Sequence, residues 1–339
     1  MQNLKTLWKK IIIQLAGSDK NFQAHRIKEG GSDRRFYRLE AGGSSFILLE
    51  FSTPEELKEY VSVGDFLFSR KFSAPRRLFL DRKEMVAVYE DGGKKNLQSH
   101  ILNLLFENKT GPVIDIYKNV IDELIVLQSI PFEEIPFNIK ARPFNFDHYR
   151  WESDYFREKC AGLFFGLGVI EDGILTRELD FLAGELVSES RFIVHRDFQS
   201  QNILFDKTGK ITVIDFQSAR LGSRFYDLAS LLKDPYVELP DSVHDELLGY
   251  YLSHPGWNED LKINMKKATE TYNKVALQRL MQALGAYGKL GIDSGKPEFL
   301  KYVKPALSLT KKTVKEVKGL GKLKELIETL INKESDYFS

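Results

Sequence analysis

The sequence predicts an α+β protein of two lobes, a small antiparallel sheet followed by a mainly helical remainder. Short alternating runs separated by glycine-containing turns fill residues 23–90. From about residue 96 the apolar positions recur three and four apart, the period of packed helices. Between the two regimes Asp91-Gly92-Gly93 is a flexible break, which divides the chain into an N-terminal lobe over 1–93 and a C-terminal lobe over 94–339. A length of 339 residues suits two lobes of ordinary size.

The elements follow in order. Leu4, Leu7, Trp8, Ile11 and Leu15 make an amphipathic helix of residues 1–16; Lys9 and Lys10 interrupt the apolar run that a signal peptide requires. Strands are expected over 24–29, 35–40 and 45–51, joined by hairpin turns at Gly30-Gly31-Ser32-Asp33 and Ala41-Gly42-Gly43-Ser44. Thr53-Pro54-Glu55-Glu56 then combines a capping hydroxyl, a first-turn proline and a glutamate three after the cap, opening a helix to about Arg70. Strands over 77–80 and 85–90 complete a five-stranded sheet. Helices are expected over 97–106, 112–128, 146–165 and 173–188. A brief β island interrupts them: 192–194, 203–205, a turn at Asp206-Lys207-Thr208-Gly209, and 211–214. Helices resume from Arg224, and 311–333 reads as a basic amphipathic helix packed on the helical lobe.

Composition narrows the function. Hydrophobic residues are 42% and charged residues 29%, as in soluble globular proteins. A net charge of +1 argues for neither nucleic acid nor an anionic membrane as partner. No segment approaches the roughly 18 uninterrupted apolar residues of a membrane span. A cytoplasmic monomer is the expectation. Cys160 is the only cysteine, which excludes an intrachain disulfide and a cysteine-rich metal site. It is expected as a buried structural thiol.

The chemistry concentrates in His195-Arg196-Asp197-Phe198-Gln199-Ser200-Gln201-Asn202 and Ile214-Asp215-Phe216. Asp or Asn alone beside a strand is an ordinary turn residue. Two carboxylates and a carboxamide at these intervals, each after an apolar segment, suit phosphoryl transfer from a nucleotide. Asp197 is the candidate base for a substrate hydroxyl. Asn202 and Asp215 offer a neutral and a charged oxygen, matching the few protein ligands that Mg²⁺ takes beside phosphates and water. His195 is read as framework support. Asp227 either caps the helix after it or braces the catalytic loop through backbone amides. Gly31 and Ser32, in the first hairpin turn, offer amides that can cover nucleotide phosphates, with Arg34 and Arg35 able to reach back to them.

These motifs, continued by Tyr226-Asp227-Leu228-Ala229 and Lys233-Asp234-Pro235-Tyr236, resemble the aminoglycoside phosphotransferase/choline kinase family of the protein-kinase-like fold. Asp215-Phe216-Gln217, Leu277-Gln278-Arg279 and Gly295-Lys296-Pro297 bring the likeness nearest to its bacterial branch of anomeric N-acetylmuramate and N-acetylglucosamine kinases, used in cell-wall recycling. The resemblance covers roughly residues 30 to 310 and is firmest over 194–236. It implies ATP and Mg²⁺ as cofactors, adenine against Tyr89, Glu90 and Asp91, Asp197 as base, Asn202 and Asp215 as metal ligands, and transfer to a sugar C1 hydroxyl giving an α-1-phosphate. One departure is plain. The third strand, Ser45-Phe46-Ile47-Leu48-Leu49-Glu50, lacks the lysine that pairs with nucleotide phosphates in many such kinases, and Arg34 or Arg35 is the candidate substitute.

For the sugar, motif-adjacent Gln199, Gln217, Asp234, Tyr236 and Arg279 are the candidate contacts, with Arg279 available to a lactyl carboxylate. Two rivals stand beside this reading. A kinase of aminoglycosides or choline-type alcohols needs an acidic pocket or an aromatic cage, for which Tyr250, Tyr251 and Trp257 are available. A catalytically silent nucleotide-binding module is suggested only by the absent lysine.

Overall fold

The computed structural model describes residues 2–27, 34–187, 191–257 and 264–337. The strands are β1 Gln23–Ile27, β2 Arg35–Ala41, β3 Ser44–Glu50, β4 Arg77–Asp81, β5 Val86–Glu90, β6 Lys95–Asn96, β7 Phe192–Val194, β8 Ile203–Phe205, β9 Ile211–Val213 and β10 Arg220–Gly222. The helices are α1 Gln2–Ala16, α2 Pro54–Ser69, α3 Leu97–Phe106, α4 Thr110–Gln128, α5 Phe137–Lys140, α6 Phe146–Tyr155, α7 Gly173–Val187, α8 Phe225–Leu232, α9 Asp241–Leu252, α10 Met265–Gly288, α11 Val303–Lys315 and α12 Gly321–Tyr337. No described helix is long and apolar enough to cross a membrane.

The chain forms two compact units, Met1–Asn96 with Ile203–Gln217, and Leu97–Asn202 with Ser218–Ser339. The first is built on an antiparallel sheet of order β1-β2-β3-β5-β4. The alternation expected of half-buried strands puts Leu39 opposite Phe46 and Leu48 opposite Tyr37. The apolar stripe of α1, Trp8, Ile11 and Ile12, closes over Leu39, Leu48, Val86 and Val88. Helix α2 starts where the sequence says. Thr53 Oγ1 accepts the Glu56 amide at 3.2 Å, settling one unpaired helix-end donor, while Glu56 Oε2 accepts the amide of Ser52, one residue before the cap, at 3.3 Å.

The β island is divided differently from the sequence division at 93/94. The hairpin β8–β9 pairs with β6 and belongs to the first unit. A side chain at Gly93, which has φ +109°, would stand 2.2 Å from the Phe205 carbonyl oxygen, so only glycine lets the chain approach β8 this closely. Phe216, at the end of the hairpin, is buried 4.8 Å from the Tyr60 ring.

The second unit is helical around α10, whose buried face runs from Ala268 to Gly288. Among its described residues a small sheet pairs β7 with β10, aligning Val194 with Arg220. The segment expected as one helix over 146–165 is α6 continued by a π-helical turn, Phe156–Phe164. Gly285 of α10 lies against Tyr155, where a Cβ would come within 2.7 Å of the ring. The single helix expected over 311–333 is two, α11 and α12, broken around Gly319, which has φ +80°. Glu178 accepts the amides of Lys322 and Leu323 and so caps α12. Cys160 is fully buried, and burial raises its thiol pKa, as expected of an inert thiol.

Candidate active site

In the second unit the segment after β7 is tied down by carboxylates from below. Asp227, in the first turn of α8, accepts the His195 amide at 2.6 Å and the Arg196 amide at 2.9 Å. The helix N-cap itself is Arg224, so bracing the loop is what the side chain does. Burial pushes Asp227 up to about 7, against the two amide bonds that lower it and with the Asp197 charge adding to the rise. Three residues further along the loop from Asp197, the Ser200 amide donates to Asp234 at 2.8 Å, and the Tyr236 amide donates to the other Asp234 oxygen at 2.9 Å. Asp234 is buried and held above its ordinary range by that burial. It therefore positions the loop. The sequence reading had offered it as a sugar contact.

These anchors hold Arg196 at φ +82°, a conformation that costs a non-glycine residue on the order of 1–3 kcal/mol. Strain of this kind persists where the surroundings over-determine it, and here it sits beside Asp197. Asn202 Nδ2 donates to the Asp197 carbonyl at 2.9 Å, which leaves Oδ1 as the end of the amide able to face a cation. His195 is fully buried, its ring 5.9 Å from Phe198.

Arg279 enters from α10. It donates to Ser230 Oγ at 2.7 Å, to Gln282 and to Gln199 Oε1 at 3.1 Å, and stands 3.9 Å from an Asp197 oxygen. Gln199 and Arg279 are thus brought together beside the candidate base, with the guanidinium already engaged by three side-chain oxygens. Tyr236 is buried, its ring 4.4 Å from Tyr302.

Sequence reasoning missed the buried acid beneath this group. Glu152 on α6 accepts from Tyr226 Oη at 2.7 Å and Gln278 Nε2 at 3.2 Å, and burial raises its pKa against those bonds. The Leu277-Gln278-Arg279 motif pointed at α10, but nothing in the sequence joined it to Glu152. Of the candidate choline cage, Tyr251 is fully buried and Trp257 has the Arg224 guanidinium 4.2 Å from its ring centroid. An internal cation already occupies that ring face.

The first unit carries the other half of the motif. Asp215 has φ +67° and accepts from Gln217 Nε2 at 2.7 Å, so Gln217 is a partner of Asp215. Arg34 ion-pairs with Glu56 of α2 at 2.9 Å and lies 5.2 Å from the Tyr60 ring centroid. Burial raises the Tyr60 hydroxyl pKa, the Asp215 charge adds to the rise, and the Arg34 charge opposes it. A guanidinium and a carboxylate therefore act on one buried tyrosine. Arg35 is largely exposed, 3.6 Å from Glu50. Tyr89 is buried against Tyr60 at 5.6 Å, and Glu90 pairs with Arg76 at 2.8 Å. Asp91 takes Arg38 at 2.6 Å, Ser45 at 2.6 Å and the Gly93 amide at 3.0 Å, which hold it below the ordinary carboxylate range against its burial. Gly31 and Ser32 lie outside the described residues.

Comparison with known proteins identifies the family and the fold. Residues 23–260 match the model of the phosphotransferase enzyme family. The N-acetylmuramate/N-acetylglucosamine kinase of Pseudomonas putida is 24% identical over 306 residues, covering 88% of this chain and 86% of that protein. Among solved structures, an ethanolamine kinase of Plasmodium vivax superposes with a TM-score of 0.60 at 14% identity, covering 87% of this chain and 84% of that one. A spectinomycin phosphotransferase solved with ADP and spectinomycin gives 0.58 at 14% identity, covering 91% and 98%. The structural likenesses speak to a kinase-like fold, which is the fold class the sequence predicts.

Proposed function

Because the chain belongs to the phosphotransferase enzyme family, we propose that it is a kinase of amino sugars. It would transfer the terminal phosphoryl group of ATP to the anomeric hydroxyl of N-acetylmuramate and of N-acetylglucosamine. The observation that carries this reading is the match over 88% of the chain to a kinase of those sugars. The loop geometry supports it.

In this reading the Asp197 carboxylate takes the proton of the C1 hydroxyl as its oxygen bonds to the γ-phosphorus; the bond to the bridging oxygen breaks and ADP leaves. Asp227 and Asp234 hold the backbone on either side of Asp197, so the base is aimed before substrate arrives. Arg279 keeps positive charge 3.9 Å from Asp197 and orients Gln199 for a sugar hydroxyl. Asn202 and Asp215 have the oxygen donors that a hard cation takes, and Mg²⁺ held by them would supply neutralising charge for the phosphates. Arg34, fixed by Glu56, is our candidate for the function of the absent strand lysine.

A cationic acceptor fits less well. Arg196 and Arg279 surround Asp197 with positive charge, and Arg224 occupies the Trp257 face. The deciding experiment is ADP release over a panel of amino sugars, aminoglycosides and choline, with phosphorus NMR of each product. A glycosyl phosphate is expected. A primary-alcohol phosphate, or no product from any sugar, would refute the reading.

A further inference from the structure

Asp197 is flanked by arginine charge that the mechanism leaves unused. Arg220 of β10 faces Val194 across the ladder, and Arg196 lies two residues beyond Val194 on the loop. Among the described residues neither forms an ion pair. The Arg220 guanidinium meets the His148 ring nitrogens at 3.3 and 3.1 Å and stands 5.2 Å from the Phe144 ring centroid. His148 cannot offset that charge. Burial, then Arg220, then Arg196 push it down to about 3, so the imidazole is neutral. Burial, followed by the Arg196 charge, lowers Arg220 to about 10. Glu152, the buried acid that acts on both arginines, has its oxygens already serving Tyr226 and Gln278. Arg142, a further contributor of positive charge to Arg220, donates to the Asn138 and Ala219 carbonyls.

An aromatic wall adjoins the pair. On α6, Trp151 is 48% exposed and stacks on Tyr155, with ring centroids 5.1 Å apart and planes 13° from parallel. His148 is the next ring along, 5.6 Å from Trp151. Arg196 acts electrostatically on both His148 and Tyr155, so its charge falls on the half-buried rings that flank Trp151 on α6. A paired positive charge beside a flat apolar face, one residue from a base, suits a pyranose that carries a carboxylate.

We propose that Arg196 and Arg220 form a carboxylate subsite that selects N-acetylmuramate over N-acetylglucosamine by its lactyl group, while the sugar ring rests on Trp151 and Tyr155. This rests on the amino-sugar reading above. It also moves the role from Arg279, to which the sequence had assigned the lactyl group; Arg279 is engaged by Ser230, Gln282 and Gln199. Charge-assisted hydrogen bonds to a carboxylate correspond to a preference on the order of tenfold to a hundredfold.

The test is equilibrium binding, by calorimetry on the full chain, of N-acetylmuramate, N-acetylglucosamine and N-acetylglucosamine 6-phosphate. Wild type should bind N-acetylmuramate at least about tenfold more tightly than N-acetylglucosamine. Arg220→Met should bring that ratio to about one, Arg220→Lys should keep part of it, and Arg196→Met provides the same readout if Arg220→Met does not fold. No preference in wild type, a ratio unmoved by the substitutions, or tighter binding of the 6-phosphate would overturn the proposal. Preference without phosphorylation of either sugar would remove the kinase reading and leave the subsite standing. Phosphorylation of both sugars without preference would do the reverse.

Discussion

Replacing Asp227 with asparagine separates loop bracing from charge burial, because the two effects carry opposite signs with pH. An asparagine side chain has one acceptor oxygen, so it can keep the His195 or the Arg196 amide but not both, and its NH₂ then faces the other donor. Below about pH 7, where the carboxyl is protonated, the loss is that of an ordinary hydrogen bond, roughly 0.5–1.5 kcal/mol. Against this, the substitution removes a carboxylate whose pKa rises from 3.8 to about 7 on folding. A raised carboxylate favours the folded state fully below its unfolded pKa, and that contribution disappears as pH rises through about 7. Between pH about 5 and about 8 the parent therefore forfeits roughly 2.5 kcal/mol that the Asn variant keeps. The variant should gain on the parent by roughly 2.5 kcal/mol between about pH 5 and about pH 8. Turnover should fall about a hundredfold at both values, since the loop bearing Asp197 loses an anchor. Urea unfolding at the two pH values, paired with steady-state kinetics, reads both. A stability deficit that widens toward pH 8, or a turnover equal to that of the parent, would refute this account of Asp227.

Three other outcomes are expected. Asp197→Asn should lower turnover by at least about a hundredfold while leaving the urea midpoint nearly unchanged, because the side chain is partly exposed and its ion pair with Arg279 is long, at 3.9 Å; a tenfold effect or less would deny it the role of base. Arg34→Ala should raise the Michaelis constant for ATP several-fold and Glu56→Gln should follow it, whereas exposed Arg35→Ala should change the constant less than about twofold; equal effects of Arg34 and Arg35 would remove Arg34 from the nucleotide site. Asp215→Ala should abolish the thermal stabilisation that Mg·ATP gives the parent, about 2.7 kcal/mol at a hundredfold excess over Kd, and equal stabilisation of both proteins would sink the metal assignment.

The sequence disclosed what is local. Thr53 to Glu56 announced the start of α2, and the Thr53 cap bond to the Glu56 amide is present, with the Glu56 carboxylate turned to the Ser52 amide. The strand runs and the helix 97–106 were legible because their periods extend over several residues. Strands of two or three residues, β6 and β10, show no period at all, and with β6 went the membership of the hairpin β8–β9. The π-helical turn after α6 was invisible for a different reason: an inserted residue leaves composition unchanged while it shifts which side chains share a face. Among the candidate residues, Asp197, Asn202 and Asp215 stood out by spacing. Arg196 and Arg220 did not, because a lone arginine carries no mark of whether an acid will meet it. Asp234 was noticed for its place in a motif, yet only the fold shows that backbone amides claim both of its oxygens.

The first unit is assembled from two stretches of chain, Met1–Asn96 and Ile203–Gln217. A ribosome that has delivered only the earlier stretch has made every strand of the five-stranded sheet, but not the aromatic plug, Phe216, that closes over Tyr60 and Gly64. Synthesis of the intervening segment, 97–202, must elapse first, during which an apolar face stays open to non-native partners. Nascent chains arrested before Phe216 should therefore be bound by chaperones and cleaved readily by proteases, and those arrested soon after Gln217 emerges should not.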